Sequence, residues 1–72
     1  MILPWLHDPD NYRHECRVGS WLGIVDYYDN APAGNWALYR DGELVAHDIA
    51  PNVDVAMLAV EDAYLETFAP VL

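Results

Sequence analysis

The chain has no lysine, one cysteine and one serine, and these shortages exclude several classes of protein. The chain has three arginines and twelve aspartate and glutamate residues, so its formal net charge is −9. A field this negative repels nucleic acid and anionic membrane and attracts basic surfaces. We therefore expect no direct nucleic-acid binding and no membrane binding. The single cysteine, Cys16, cannot form an internal disulfide, which excludes a disulfide-stapled scaffold.

Long apolar runs are missing as well. No stretch approaches the roughly 20 apolar residues of a membrane helix, and residues 1–6 lack the basic and apolar regions of a signal peptide. We expect a soluble cytoplasmic protein. The length of 72 residues fits one small domain, residues 1–72. Three Trp, five Tyr and an apolar fraction of 54% are too much for a disordered acidic tail.

Turn residues divide the first half of the chain. Residues 1–12 predict an irregular N-terminal arm, because two prolines interrupt it and the Asp-Pro-Asp-Asn stretch favours a turn. Residues 12–18 are a weak strand candidate. Residues 21–28 are a better one, since β-branched and aromatic residues favour strands. Residues 29–35, which contain one proline and one glycine, are interpreted as a loop.

The strongest local signal is Asp41-Gly42 between two strand-like runs. It predicts a two-residue hairpin, because a type I′ turn needs positive φ at both central positions. The expected cross-strand pairs are Arg40 with Glu43, Tyr39 with Leu44, Leu38 with Val45, Ala37 with Ala46, and Trp36 with His47. Alternation along the strands then gives the hairpin two distinct faces.

We expect a helix to pack on the hairpin face that carries two alanines, because small side chains let a helix approach closely. That face carries Ala37, Tyr39, Leu44 and Ala46. Trp36 lies on the other face, and Tyr28 also points away from the expected core. If both aromatic side chains are exposed, they form an apolar patch for self-association or partner binding.

Residues 52–68 predict one C-terminal helix. Its apolar stripe at helical spacing consists of Met57, Val60, Tyr64 and Phe68. Asn52 or Asp54 can cap the first turn, and Pro70 ends the element. The predicted fold class is therefore α+β, a three- or four-stranded antiparallel sheet with the one C-terminal helix packed on a face.

Acidic residues without basic neighbours mark this helix. Its surface is expected to carry Asp54, Glu61, Asp62 and Glu66. Asp62 and Glu66 are four residues apart, where like charges cost roughly 0.2–0.5 kcal/mol. These four residues are the main candidate contacts for a basic partner, and Asp26 and Asp29 are secondary candidates. The alternatives are a merely solvated face that keeps the protein soluble, or adaptation to high salt.

Candidates for metal binding and catalysis are weaker. The possible zinc ligands are His7, Asp8, Asp10, His14 and Cys16. Structural zinc sites use paired Cys or His spacings, which this set lacks. His47 and Asp48 are strand neighbours that point to opposite faces, so they do not form a catalytic dyad. We expect no catalytic residues, no cofactor and no bound metal, and therefore no enzyme.

A small, strongly acidic, lysine-free α+β domain without a catalytic motif resembles the small phage-encoded inhibitor proteins, which include anti-CRISPR proteins and DNA mimics. The resemblance covers size, charge and the order of elements, and it transfers no residue. It implies a protein that occupies a basic nucleic-acid-binding surface of a host defence or DNA-handling complex, such as a CRISPR effector. The acidic side chains would then substitute for phosphates in pairing with Lys and Arg.

We therefore expect a non-enzymatic inhibitor in the cytoplasm of the host cell. The alternative is a structural or assembly module, either a self-associating homodimer or a phage particle component, whose charge only confers solubility. A symmetric dimer would also compensate for the thin core of a chain this short.

Overall fold

One helix packs on one face of a five-stranded antiparallel sheet. The structure is a computed structural model that describes residues 1–68, apart from the side chain of Phe68. The elements are β1 (Leu6–Asp8), a 3-10 turn (Pro9–Asn11), β2 (Arg13–Val18), β3 (Trp21–Tyr28), β4 (Ala31–Arg40), β5 (Glu43–Ala50) and α1 (Val53–Phe68). The strands lie in the sheet in chain order. The α+β class with its C-terminal helix is confirmed, but the predicted count of three or four strands is wrong.

The additional strand is β1, which lies within the segment predicted to be an irregular arm. Leu6 pairs with Glu15, and Asp8 pairs with Arg13, across the β1–β2 ladder. Three residues are too few to show alternation, so this strand depends on pairing with β2 and not on a local pattern. Residues 1–12 are therefore not irregular throughout.

Strand β3 occupies the residues predicted for it, and β2 begins one residue later than predicted. Strand β4 starts at Ala31, so the predicted loop over residues 29–35 is wrong for most of its length. The register between β3 and β4 shifts at the end of β3. Pro32 lies within this irregular stretch, between the paired residues Ala31 and Gly34, where a missing N–H group is tolerated. The proline here marks an irregularity in a strand and not a loop.

The hairpin turn is confirmed, with φ of 53° at Asp41 and 81° at Gly42. Two predicted pairs are present: Arg40 with Glu43 and Tyr39 with Leu44. Val45 is then an extra residue, a β-bulge, so the predicted pairs beyond it are wrong by one position. The observed pairs are Leu38 with Ala46, Ala37 with His47, and Trp36 with Asp48.

Helix α1 packs on the opposite hairpin face from the one predicted. Val25 and Leu38 are the fully buried side chains of the sheet, and they belong to one cluster with the helix residues. Because Leu38 and Ala37 point to opposite sides, the predicted packing on the alanine face is wrong. Trp36 also packs against this cluster, whereas Tyr28 is 52% exposed. Of the two aromatic residues predicted to form an exposed patch, only Tyr28 is exposed.

Glycines, and not alanines, let the helix approach the sheet. A methyl group added at Gly23 would lie 2.7 Å from Cys16 Sγ and 2.8 Å from Val60 Cγ1. One added at Gly34 would lie 3.0 Å from the Ala56 Cβ atom. Strands β3 and β4 thus each present a residue without a side chain where α1 crosses them.

An asparagine cap starts the helix. Asn52 Oδ1 accepts a hydrogen bond from the Val55 backbone N–H at 2.9 Å, and this confirms the predicted start to within one residue. The members of the predicted stripe that pack in the core are Met57, Val60 and Tyr64. The predicted end at Pro70 lies outside the described residues. Within residues 1–68, no helix has the length and apolar character needed to cross a bilayer.

Gly23→Ala is expected to lower the free energy of unfolding by about 1–3 kcal/mol, because the methyl group overpacks the contact with Cys16 and Val60. Urea unfolding followed by circular dichroism measures the change. Ala31→Val adds methyl groups at an exposed position of β4 and should stay within about 0.5 kcal/mol of the wild type. Equal stability of Gly23→Ala and the wild type would contradict the close approach.

Candidate functional site

Three of the four predicted helix contacts lie on the outer surface of α1. Asp54, Asp62 and Glu66 are exposed, and the last turn of the helix has no basic residue. At 3.6 residues per turn and 1.5 Å per residue, they span an arc of roughly 120° and about 18 Å along the axis. These three residues define the acidic helix surface.

The arginines of the protein lie elsewhere. The ion pairs among the described residues are Arg13 with Asp26, Arg17 with Glu15, and Arg40 with Asp41. All three pairs belong to strands or to the hairpin turn, and α1 contains no Lys, Arg or His. Within residues 1–68, the acidic helix surface therefore has no ion-pair partner, and its carboxylates are open to a cationic ligand.

Glu61, the fourth predicted helix contact, is only 5% exposed. Its Oε2 atom accepts hydrogen bonds from the Leu3 backbone N–H at 2.8 Å and from the Trp5 indole N–H at 3.1 Å. The prediction that Glu61 lies on the helix surface is therefore wrong. Its spacing from Met57 and Tyr64 places it within the apolar stripe, and this was the signal in the sequence for its burial. Glu61 joins residues 1–5 to the helix.

Hydrogen bonding keeps the Glu61 carboxyl ionised. Burial by itself raises its pKa, because burial disfavours the charged form. Hydrogen bonds from the Leu3 backbone, the Trp5 indole and the Ile2 backbone, with the positive N-terminal amino group, outweigh that effect and lower the pKa. Glu61 is thus a charged acceptor, and bonds to a charged acceptor are stronger than bonds to a neutral one.

The two secondary candidates, Asp26 and Asp29, do not adjoin the acidic helix surface. Asp26 follows the buried Val25 on β3, so it lies on the sheet face opposite α1. There it accepts two hydrogen bonds from Arg13, of 2.7 and 3.4 Å. Asp29 is exposed in the turn between β3 and β4. Of the six predicted contacts, the structure brings together only the three of the acidic helix surface.

The sheet face opposite α1 is a second candidate surface. It carries apolar side chains from three neighbouring strands, which define the helix-free face: Leu22, Ile24, Ala37, Tyr39, Leu44 and Ile49. Leu44 is 51% exposed and Ile49 is 69% exposed. Two open cavities of about 550 and 350 Å³ lie on this face, and Ile24 and Tyr39 line both. Regular alternation from the hairpin turn predicts that Ala37, Tyr39 and Leu44 share a face. It places Ile49 on the other one, because the Val45 bulge changes the face of every later residue in β5.

A cluster of rings lies on the other side of the sheet, near the start of α1. His7 and His14 face each other across β1 and β2, and their rings stack at 4.3 Å with an angle of 8°. A hydrogen bond of 2.6 Å joins His7 Nε2 and Tyr27 Oη. Burial lowers the pKa of His14 and the facing His7 lowers it further, whereas Asp54 raises it in part. The sequence singles out both histidines as possible zinc ligands, but it gives no signal for their stacking, because that depends on the unpredicted strand β1.

The thiol of Cys16 is buried in the core and only 3% exposed. Burial raises the pKa of Cys16, a hydrogen bond with the Gly23 backbone lowers it in part, and the charges of Glu61 and Glu15 raise it further. A raised pKa lowers the fraction of thiolate, which is the nucleophilic form. Within residues 1–68, no three His, Cys, Asp or Glu side chains are arranged to hold a metal ion.

Comparison of the chain with family models, curated proteins and solved structures finds no match in any of the three. The two candidate surfaces differ in their chemistry. The acidic helix surface is charged and has no internal cation, whereas the helix-free face is apolar and is bordered by paired charges.

Glu61→Gln is expected to lower the free energy of unfolding by about 1–3 kcal/mol, because a neutral amide loses the charge-assisted hydrogen bonds to Leu3 and Trp5. Glu66→Gln is the matched control. The same change at an exposed position of the same helix should stay within about 0.5 kcal/mol of the wild type. Urea unfolding monitored by tryptophan fluorescence measures both variants. A Glu61→Gln protein as stable as the wild type would show that the bridge contributes nothing.

Stability is expected to fall as the pH is lowered from about 7 through the ordinary histidine range near 6.5. The unfolded chain protonates the His14 imidazole more readily than the folded chain does, so acid favours unfolding. Urea unfolding at several pH values between about 7 and 5 measures how the free energy of unfolding changes with pH. His14→Gln should make the free energy of unfolding depend less on pH over this range. Equal slopes for the wild type and His14→Gln would refute the assignment.

Proposed function

We propose that the protein is a non-enzymatic inhibitor that docks through its acidic helix surface on a basic protein surface. The target is a nucleic-acid-binding surface of a host defence or DNA-handling complex, with a CRISPR effector as the first candidate. The observation that carries the proposal is a helix with three exposed carboxylates and no cation. The protein would compete with nucleic acid for the same lysine and arginine side chains.

The positions of the carboxylates favour recognition over stability. Asp62 and Glu66 are like charges four residues apart, and Glu66 lies near the C-terminal end of the helix, where the dipole prefers a cation. The repulsion and the dipole effect together cost up to about 1.5 kcal/mol, which a domain stable by roughly 5–15 kcal/mol tolerates. A lysine or arginine of a partner, placed between the two carboxylates, would offset the repulsion between them. It would also offset the unfavourable interaction of Glu66 with the helix dipole.

The fold holds this surface in a fixed orientation. Met57 and Val60 anchor the helix in the core, and Glu61 ties it to the N-terminal segment. Charges on a preformed helix need little ordering when they bind, which lowers the entropic cost of association. Complementary charge also raises the association rate and the specificity.

Inhibition of this kind needs no reaction. Nucleic acid gains affinity for basic proteins by releasing the counterions condensed around its phosphates, and carboxylates that pair with the same cations exploit the same attraction. Occupation of the basic surface excludes nucleic acid by charge and by bulk. Binding of the inhibitor should therefore weaken as salt is added.

The second candidate is a structural or assembly module, which the exposed apolar residues of the helix-free face favour. Such a module uses a different surface and makes no demand on the helix carboxylates. Reversal of the helix charges therefore separates the two candidates.

The double variant Asp62→Lys/Glu66→Lys is expected to lose partner binding by at least tenfold while its free energy of unfolding changes by less than about 1 kcal/mol. It places cations where the proposed partner carries its own. The tagged wild type and the variant are used to capture proteins from a host lysate. Purified CRISPR effector complexes are then tested for loss of DNA binding when each protein is added.

Asp10→Lys/Glu43→Lys is the matched control, because it makes the same change in net charge at exposed positions away from α1. It should retain capture and inhibition. The proposal fails if the helix variant binds at low salt as well as the wild type does. It also fails if no captured protein binds nucleic acid.

A further inference from the structure

We propose that a second copy of this chain packs on the helix-free face, so that two sheets stack in a twofold-symmetric dimer with both helices on the outside. This inference does not depend on the proposed inhibitor function, and it specifies the occupant of the face that favours the second candidate, an assembly module. The acidic helix surface lies on the far side of each sheet and stays exposed in such a dimer.

The sheet is covered on one side only. Helix α1 packs against the side of Val25 and Leu38, together with Leu3 and Trp5. Among residues 1–68, no helix or strand covers the opposite side. Small domains are stabilised when a sheet buries its apolar face against a second layer, and a second copy supplies that layer.

The uncovered side has the composition of an interface. Leu44 and Ile49 are large apolar residues that are more than half exposed. Leu22, Ile24 and Tyr39 beside them are partly exposed. These side chains come from three adjacent strands, so they form one continuous patch and not scattered single residues. Contiguous apolar patches on small proteins mark interaction sites.

The paired charges beside the helix-free face favour a second copy of this chain over a basic partner. Arg13 and Arg17 lie on the same side of the sheet, and they pair with Asp26 at 2.7 Å and with Glu15 at 3.4 Å. Two of the three arginines of a protein with net charge −9 thus neutralise the border of this face. A basic partner would find these carboxylates already paired. Two copies can approach here with the least repulsion.

The size of the face also fits a dimer. The three strands of the helix-free face and the bordering β2 lie about 4.8 Å apart. Each is about eight residues long at about 3.3 Å per residue, so together they cover roughly 500 Å² in projection. Protruding side chains make the accessible area larger than the projected area. A standard interface buries about 800 Å² on each partner, which is of this order.

The helix-free face has protrusions and depressions that can interlock with those of a second copy. Cavities of about 550 and 350 Å³ share Ile24 and Tyr39 as lining residues, and Leu44 lines the larger one. A twofold axis presents the same protrusions and depressions on both copies, so a side chain of one copy can enter a cavity of the other. Stacked sheets lie about 10 Å apart with their side chains interlocked in this way.

The edge of the sheet is a poorer site for a second copy. Strand β5 is the long edge, but the bulge at Val45 interrupts its regular ladder. Asp48 Oδ1 also accepts a hydrogen bond from the Ile49 backbone N–H at 2.8 Å, which ties up a backbone donor. Bulges and charged residues are features that prevent edge-to-edge pairing.

Sedimentation velocity of the whole chain over a wide range of concentrations tests the dimer. The wild type should approach twice the 8.2 kDa of one chain. Ile49→Glu and Leu44→Glu should each raise the dimer dissociation constant at least tenfold, because each would bury an unpaired carboxylate. Both positions are exposed in the single chain, so circular dichroism should show an unchanged fold.

Leu58→Glu is the matched control, since Leu58 is 48% exposed on the outer surface of α1. It should leave the dimer intact. The inference is overturned if the wild type stays monomeric at all concentrations. It is equally overturned if Leu58→Glu dissociates the dimer and the two β5 variants do not, or if species larger than a dimer form, which would indicate pairing through the sheet edge.

Discussion

A buried carboxylate joins the beginning and the end of the described structure. Glu61 is the one buried charged residue within residues 1–68, and Leu3 and Trp5 hold it through hydrogen bonds. A charge is tolerated inside a protein only when it is satisfied in this way, so helix and N-terminal segment must meet in one arrangement. Asp54 and Glu61 are seven residues apart, so they lie on nearly the same side of α1. Glu61 is buried because residues 1–5 cover it, whereas Asp54, two turns earlier, is exposed.

Features that depend on neighbouring residues could be predicted from the sequence. The Asp41-Gly42 turn, the strand over residues 21–28 and a side-chain cap by Asn52 or Asp54 each follow from a few adjacent side chains. All three features are present, and the cap is Asn52. Strand β1 could not be predicted, because its three residues become a strand only through pairing with β2. Alternation predicts that Ala37, Tyr39 and Leu44 share a face, but it does not predict that this face is free of the helix. It also does not place Ile49 there, since that requires the position of the bulge in β5.

Among the charged residues of the helix too, some positions follow from local spacing and one depends on distant residues. Helical spacing predicts that Asp62 and Glu66 share a surface, and they do. It places Glu61 among the apolar residues just as clearly, but a carboxylate is ordinarily assigned to the surface by its charge. Only the partners contributed by residues 1–5 explain its burial, and these partners are 56 and 58 residues away in the sequence.

The extra residue in β5 has a consequence for the evolution of such a chain. Deleting Val45 alone would restore a regular ladder and keep every later pair, because Ala46 would then follow Leu44 directly and still pair with Leu38. Ile49 would remain on the helix-free face opposite Asn35, and Ala50 would remain under the helix opposite Gly34. The bulge therefore absorbs one residue of length, and loss of that codon would leave both surfaces of the strand as they are.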